Sequence, residues 1–271
     1  MKNNILKYFI LLLSVLVIFI VYLSTAGIET DKFNDQIKKR ILLINKKIDI
    51  DLKKIKLTLD PFKLKIYAKT VGTTVYFSKR PLALESIKTQ VSLSSLINNK
   101  ISSSNIKVTT KSISLNDLIK FIQTTNNKPE LLILEKIVKK GHVIIDLRLN
   151  IDEKGKIKDD YKIEGLIKDA GINFLNKVNL KNINLNFNFQ KNNYFFNEIN
   201  FKAEEVKFIS KKLNVKKKKN IFLIDAIVEN DQSSLNLNIL KLLNLSFENI
   251  IVDDAKFKTN NEFSLEIDEK F

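Results

Sequence analysis

The chain reads as a mainly β protein carried on a single N-terminal transmembrane helix, its strands laid out as an elongated antiparallel sheet. Three observations lead there. An uncharged run from Tyr8 to Ile28 is followed by no second run like it. From Ile48 onward apolar residues recur with a period of two, broken by turn residues every ~8–15 positions. Helical periodicity is confined to short stretches, too few to cover a parallel sheet.

As a helix the run would reach ~31 Å at ~1.5 Å per residue, about the hydrocarbon thickness of a bilayer. Lys2 and Lys7 precede it, and Glu29 and Asp31 come after it. The basic flank stays in the cytoplasm by the positive-inside rule, so the C-terminal bulk is expected across the membrane. Tyr8 and Tyr22 lie near the two ends, where amphipathic rings favour the interface. The competing reading is a cleaved signal peptide, with Ser24-Thr25-Ala26 as its small residues; the length of the run favours an uncleaved anchor. With no Cys in the chain, a lipoprotein anchor is excluded.

Thr30 opens an amphipathic segment in which Phe33, Ile37, Ile41 and Ile44 recur at helical spacing. Thr30 is expected to cap it, Asp31 to lie in its first turn, and Lys38, Lys39 and Arg40 to come later, as the helix dipole prefers. Strand patterns begin at Ile48, Ile50 and Leu52 and continue through Leu57 and Leu59. After Pro61 come Phe62, Leu64, Ile66 and Ala68, alternating with Lys63, Lys65 and Tyr67. Further strands are expected over Val75–Phe77, Leu82–Leu84, Val91–Leu93, Ile106–Val108 and at Ile113.

Ser114-Leu-Asn-Asp117 resembles a capping box ahead of Leu118, Ile119, Phe121 and Ile122, predicting a helix of about two turns. Pro129 and Gly141 bracket a second helix over Glu130–Lys140, in the order Pro at the start and Gly past the end. Beyond it Val143, Ile145, Leu147, Leu149 and Ile151 alternate, and Asp152–Gly155 reads as a hairpin turn. Ile157, Tyr161, Ile163, Leu166 and Ile167 come next. The clearest alternation sets Ile183, Leu185, Phe187 and Phe189 against Asn184, Asn186, Asn188 and Gln190. Lys191–Asn193 turns the chain into Ile199, Phe201 and Ala203, then Val206 and Phe208, then Leu213 and Val215. Lys216–Lys219 reads as a solvated turn or an edge guard. Short strands are expected over Ile221–Val228, Leu235–Ile239, Leu243–Phe247, Ile250–Val252 and Phe263–Ile267. The chain stops at Phe271 just after strand periodicity, so a longer native protein is expected. These patterns divide it into an anchor (1–28), a juxtamembrane helix (29–47), a β-rich segment (48–113), a helical connector (114–141) and a second β-rich segment (142–271).

Composition removes several chemistries. An exported chain without Cys has no disulfides, thiol nucleophile or Cys-based metal site, and one His cannot form a two-His ligand set. The net charge of +16 has two readings. The abundance of Lys, Asn and Ile points to AT-rich coding bias; the functional alternative is attraction to anionic headgroups. Nucleic-acid binding is disfavoured, since Arg40, Arg80 and Arg148 are the only arginines. Asp159/Asp160, Glu204/Glu205 and Asp253/Asp254 form no shared acid–base site, because neighbours on a strand face opposite ways, and they read as solvated, since ionisable residues are mostly exposed. His142 reads as structural or exposed. No phosphate-cradling glycine loop, nucleophile elbow or two-His motif is present. No catalytic residue, metal site or cofactor is expected, and the chain reads as a binding or structural protein rather than an enzyme. The apolar stripe is then either a closed β core or an open groove for acyl chains, and periodicity does not separate the two.

The layout resembles the N-terminal part of AsmA-like proteins, the superfamily of AsmA, TamB and YhdP. The residues that carry it are the single anchor followed by Gly27-Ile-Glu-Thr-Asp-Lys-Phe-Asn-Asp-Gln-Ile37, the strand series through Pro61–Ile66, then Leu82-Ala-Leu84, Ile87 and Val91–Ile97. The step from Ile106-Lys-Val108 to Ile113–Ile119 adds to it. Gly141–Asp146, Asp152–Gly155 and Tyr161–Gly165 look most like the larger, YhdP-type members, and the resemblance spans nearly the whole chain. It implies an inner-membrane, single-pass protein whose β body lies in the periplasm. It also implies a curved, taco-like sheet with an open hydrophobic groove passing phospholipids towards the outer membrane, as part of envelope maintenance. About fifteen strands at ~4.8 Å each extend only ~70 Å, shorter than the bridging members. The expected groove residues are Ile183, Leu185, Phe187, Phe189, Ile199 and Phe201, with Phe62, Leu64 and Ile66 nearer the membrane. Expected partners are phospholipid acyl chains, the inner membrane, and outer-membrane or periplasmic proteins. Two alternatives are a periplasmic scaffold for outer-membrane protein assembly, binding strands at a sheet edge, and an adaptor resembling the single-span component of lipopolysaccharide export.

Overall fold

The computed structural model describes residues 2–44, 46–93, 104–125, 128–152, 157–174, 178–235, 240 and 255–268. They pack as two units, Met1–Thr110 with Arg148–Tyr161, and Lys111–Leu147 with Lys162–Phe271. The chain is mainly β, with four helices among the described residues.

The first unit opens on α1 (Lys2–Thr25), whose Leu6–Thr25 portion, of mean hydropathy 2.6, is long and apolar enough to cross a membrane. The helix stops short of Ile28. Gly27 adopts φ 71, and its N–H donates back to the Tyr22 carbonyl at 3.1 Å, which closes the last turn. Ile28–Thr30 is then a strand, β1, not a helix start. Thr30 Oγ1 accepts the Lys32 N–H at 3.2 Å, and α2 (Asn34–Ile44) begins beyond it. Asn34 Nδ2 donates to the Leu52 and Lys53 carbonyls at 2.8 and 3.1 Å, and Lys38 pairs with Asp49 at 3.2 Å. Both contacts hold α2 against the neighbouring strands.

Those strands are β2 (Ile48–Asp51), β3 (Lys54–Asp60), β4 (Lys65–Val71), β5 (Thr74–Phe77), β6 (Arg80–Ser92) and β7 (Ser104–Thr110). The pattern at Leu82–Leu84 and the Val91 and Ser92 part of the pattern at Val91–Leu93 belong to one strand, β6, which ends before Leu93. Its first part pairs with β5 and its last part with β4, with a register shift against β7 between Leu84 and Ser86. Phe62 and Leu64 continue the period of two but not the strand: Pro61–Leu64 is a turn. Asp60 Oδ1 accepts the Lys63 N–H at 3.0 Å, and Leu64 reverses the chain at φ 50.

The second unit begins with β8 (Ile113–Ser114), α3 (Leu115–Thr125) and α4 (Pro129–Ile137). The Asp117 N–H reaches Ser114 Oγ at 3.4 Å, and α3 runs past the two turns expected to Thr125. Pro129 starts α4 as anticipated, but the helix ends at Ile137 rather than Lys140, and β9 (Val138–Ile151) takes over at once. Gly141 therefore sits within β9 at φ 132, where an added Cβ would stand 2.7 Å from Leu115 Cδ1 and 2.8 Å from Ala170. Packing between β9 and β10, rather than helix termination, accounts for this glycine.

Five long strands come after β9: β10 (Lys162–Phe174), β11 (Val178–Gln190), β12 (Asn193–Ala203), β13 (Val206–Lys218) and β14 (Ile221–Ser234). The last strand is β15 (Lys256–Asp268). The hydrogen-bonded order is β1-β3-β4-β6-β7-β9-β10-β11-β12-β13-β14-β15, with β2, β5 and β8 paired to its side, an open antiparallel sheet. Lys216–Lys218 lies in β13 opposite Leu223, Phe222 and Ile221, so most of that charge run is strand. Asp159/Asp160 and Glu204/Glu205 lie in turns, not on strands, so the opposite-face argument does not apply to them; Asp159, Asp160 and Glu205 are exposed and Glu204 is half-buried. Asp253/Asp254, the expected strands at Leu243–Phe247 and Ile250–Val252, and the centres of the Asp152–Gly155 turn and the Leu235–Ile239 strand lie outside the described residues.

Candidate functional site

Each strand from β10 to β14 carries an irregularity that shifts the parity of its apolar residues. In β10 the apolar face passes from Ile163 and Ile167 to Ala170 and Ile172, with Asp169 at φ 51 between them. In β11 it passes from Leu180 to Ile183, Leu185, Phe187 and Phe189 across Asn182 at φ 52. In β12 it passes from Tyr194 and Phe196 to Ile199, Phe201 and Ala203 across Glu198, also at φ 52. Comparable shifts fall between Ile209 and Leu213 in β13 and between Asn230 and Ser233 in β14. An extra residue in a strand moves every later residue to the other face. Because the apolar pattern slips at the same points, most of the apolar side chains stay on one face of this part of the sheet, while Leu166, Phe195, Ile209 and Leu223 lie on the other.

The register then aligns that face into rows. Ile163, Phe189, Tyr194, Val215, Ile224 and Leu265 are successive cross-strand partners from β10 to β15. The adjacent row is Gly165, Phe187, Phe196, Leu213, Ala226 and Phe263. Aromatic rings tie the rows together. Phe189 lies 4.9 Å from Phe187 and makes edge contacts with Tyr194 and Phe196 at 5.4 and 5.5 Å; Phe201 stacks on Phe208 at 5.4 Å. These are favourable aromatic geometries. The opposite face is mainly polar. Asn184 donates to Asn200 at 3.1 Å, Asn186 to Glu198 at 2.7 Å, Asn188 to Glu164 at 3.2 Å, and Ser264 to Asp225 at 2.9 Å.

Six of the anticipated groove residues thus share one face of the second unit. Ile183, Phe187 and Ile199 are buried in it, while Leu185, Phe189 and Phe201 are half-buried. Phe187 is a floor residue, its ring lying over Gly165, where an added Cβ would meet Cζ at 2.5 Å. Exposure grows towards β15, where Phe263 is 43% and Leu265 50% exposed. Ile66 faces the first unit's own row, between Leu59 of β3 and Val91 of β6. Phe62 and Leu64 join neither set, standing out in their turn at 96% and 60% exposure.

Asn230 was not anticipated, though it sits on the apolar face and is only 1% exposed. Its Oδ1 accepts from the Thr259 N–H at 2.9 Å and hydroxyl at 2.6 Å, and its Nδ2 donates to the Asp231 carbonyl at 2.6 Å. These bonds pin the β14 irregularity to β15. In the first unit a cavity of about 600 Å³ is lined by Leu42, Lys46, Lys47, Asp49, Tyr76, Ser78 and Lys79. Its Asp49 is engaged by Lys38, leaving the lining positive. Among the described residues no three His, Cys, Asp or Glu side chains gather as a metal site.

No family model matches the chain, and no curated protein or solved structure matches it.

Proposed function

We propose that this chain is a membrane-anchored, non-enzymatic lipid-binding protein of AsmA-like type. It holds phospholipid acyl chains against the apolar face of β10–β15 and passes them from the inner towards the outer membrane, its β body in the periplasm. One observation carries the reading: a continuous apolar face, kept in phase through five strand irregularities, grows more exposed towards β15 in a chain that also has a membrane-spanning-length helix. Exposed apolar side chains continuous with such a face are the usual mark of a lipid or partner site. Acyl chains laid along the rows would gain ~25 cal/mol per Å² of apolar area removed from water, less the cost of ordering them. Headgroups would stay in solvent. The process is passive.

Photocrosslinking in cells tests this. With the probe at Phe263 on the apolar face, lipid adducts are expected; with the probe at Ser264 on the polar face, none. Protein adducts alone at Phe263 would overturn lipid holding and favour the second reading, a scaffold that pairs strands. That reading has its own observation: among the described residues no strand pairs with the far side of β15.

A further inference from the structure

The turn between β3 and β4 is the most exposed apolar feature outside α1. Phe62 is 96% and Leu64 60% exposed, an unusual state for a large aromatic side chain. The strand register fixes where this turn lies. Ile28 of β1 faces Leu57 of β3, and a Cβ on Gly27 would stand 2.7 Å from Thr58 Cγ2. β3 runs antiparallel to β1, so past Thr58 it heads back alongside the helix from which β1 emerged.

α1 carries the imprint of that return. Residues 6–19 of the helix are all exposed, but Ile20, Leu23 and Ser24 are half-buried and Gly27 is buried, one helical stripe, and α1 packs against β3. The protein therefore reaches Ile20, ~7.5 Å before the end of the apolar helix at Thr25, at ~1.5 Å per residue. The turn's one acid is tied down: Asp60 accepts the Lys63 N–H at 3.0 Å and lies 3.9 Å from the Lys63 ammonium. Lys63 lies between the two apolar side chains and Lys65 follows them, and long basic side chains can keep their charge in the headgroups while the stem lies deeper.

We infer that Pro61–Leu64 is a membrane-inserted wedge, with Phe62 and Leu64 buried in the leaflet where the C-terminal end of α1 emerges. The partner is the lipid surface itself. The wedge gives the body a second attachment point beside the helix and fixes its rotation about the α1 axis. This rests on the membrane-anchored part of the proposed function, not on lipid transport.

This 271-residue chain has no Cys, so single spin labels can be placed in it at chosen sites, reconstituted in phosphatidylethanolamine–phosphatidylglycerol vesicles. Labels go at Phe62→Cys and Leu64→Cys, at Ile18→Cys within α1, and at Lys79→Cys on a turn of the same unit. Collisions with oxygen report lipid and collisions with a water-soluble nickel chelate report solvent. Labels 62 and 64 are expected to favour oxygen several-fold over the chelate, as label 18 does, while label 79 favours the chelate. Solvent-like signals at both 62 and 64 with a lipid-like 18 would overturn the wedge and leave the anchor standing. A solvent-like 18 would overturn the anchor and the wedge with it.

Discussion

Gly165 and Asn230 hold their places for opposite reasons. Gly165 leaves room for the Phe187 ring and for the Ile144 carbonyl, 2.3 Å from where a Cβ would stand. Gly165→Ala should destabilise the second unit by ~1–3 kcal/mol, the usual range for overpacking, read as a lower urea midpoint with unchanged slope. Asn230 is needed for the bonds it makes. Asn230→Ala strands the Thr259 N–H and frees the strand irregularity, an expected loss of ~1–3 kcal/mol; Asn230→Asp, which keeps the acceptor for Thr259, should lose less. Neither role was legible along the chain. The alternation did place Phe187 on the apolar face. Its seat on Gly165, however, depends on β10 and β11 pairing in one register, and that is set by partners far apart in sequence.

Strand irregularities divide the legible from the illegible most sharply. Along β11 the apolar positions run through Leu180 and then Ile183, a change of parity present in the sequence itself. Reading each stretch separately hides the fact that a single strand joins them. Deleting Asn182 removes the compensating residue, so either Leu180 or the set Ile183–Phe189 must turn to the polar face. Loss of cooperative unfolding by circular dichroism is the expected result, whereas Asn182→Gly, which keeps the residue count and suits the φ of 52, should retain it. Turns offer the converse test. Ser78 and Lys79 both have positive φ, 47 and 70, joining β5 to β6, a geometry that suits Asn-Gly. Replacing the pair by Asn-Gly should raise stability by about 1 kcal/mol, seen as a higher urea midpoint. The helix ends show the same limit: Pro129 marked the start of α4, but Gly141 did not mark its end, because its role lies in sheet packing.

In the molecule as a whole, the proposed lipid binding can be tested apart from folding only where the apolar face is exposed. A charge at Phe187, which is 7% exposed, should unfold the second unit, since a buried unpaired charge is costly. A charge at Leu265, 50% exposed, should leave the melting temperature nearly unchanged and cut co-purifying phospholipid several-fold, measured by mass spectrometry after mild detergent extraction. Retained lipid with Leu265→Asp would count against the apolar face as the holding site. The sequence by itself determined the β class, the membrane-length helix and, within most single stretches, which side chains alternate together, since hydropathy, length and period are local quantities that each segment carries alone. Only the tertiary structure decided which face is floor and which is open, that Phe62 and Leu64 leave the strand for a turn beside α1, and where β9 replaces a helix. Those outcomes depend on register and on the packing over each residue, and both are set by segments distant in the chain.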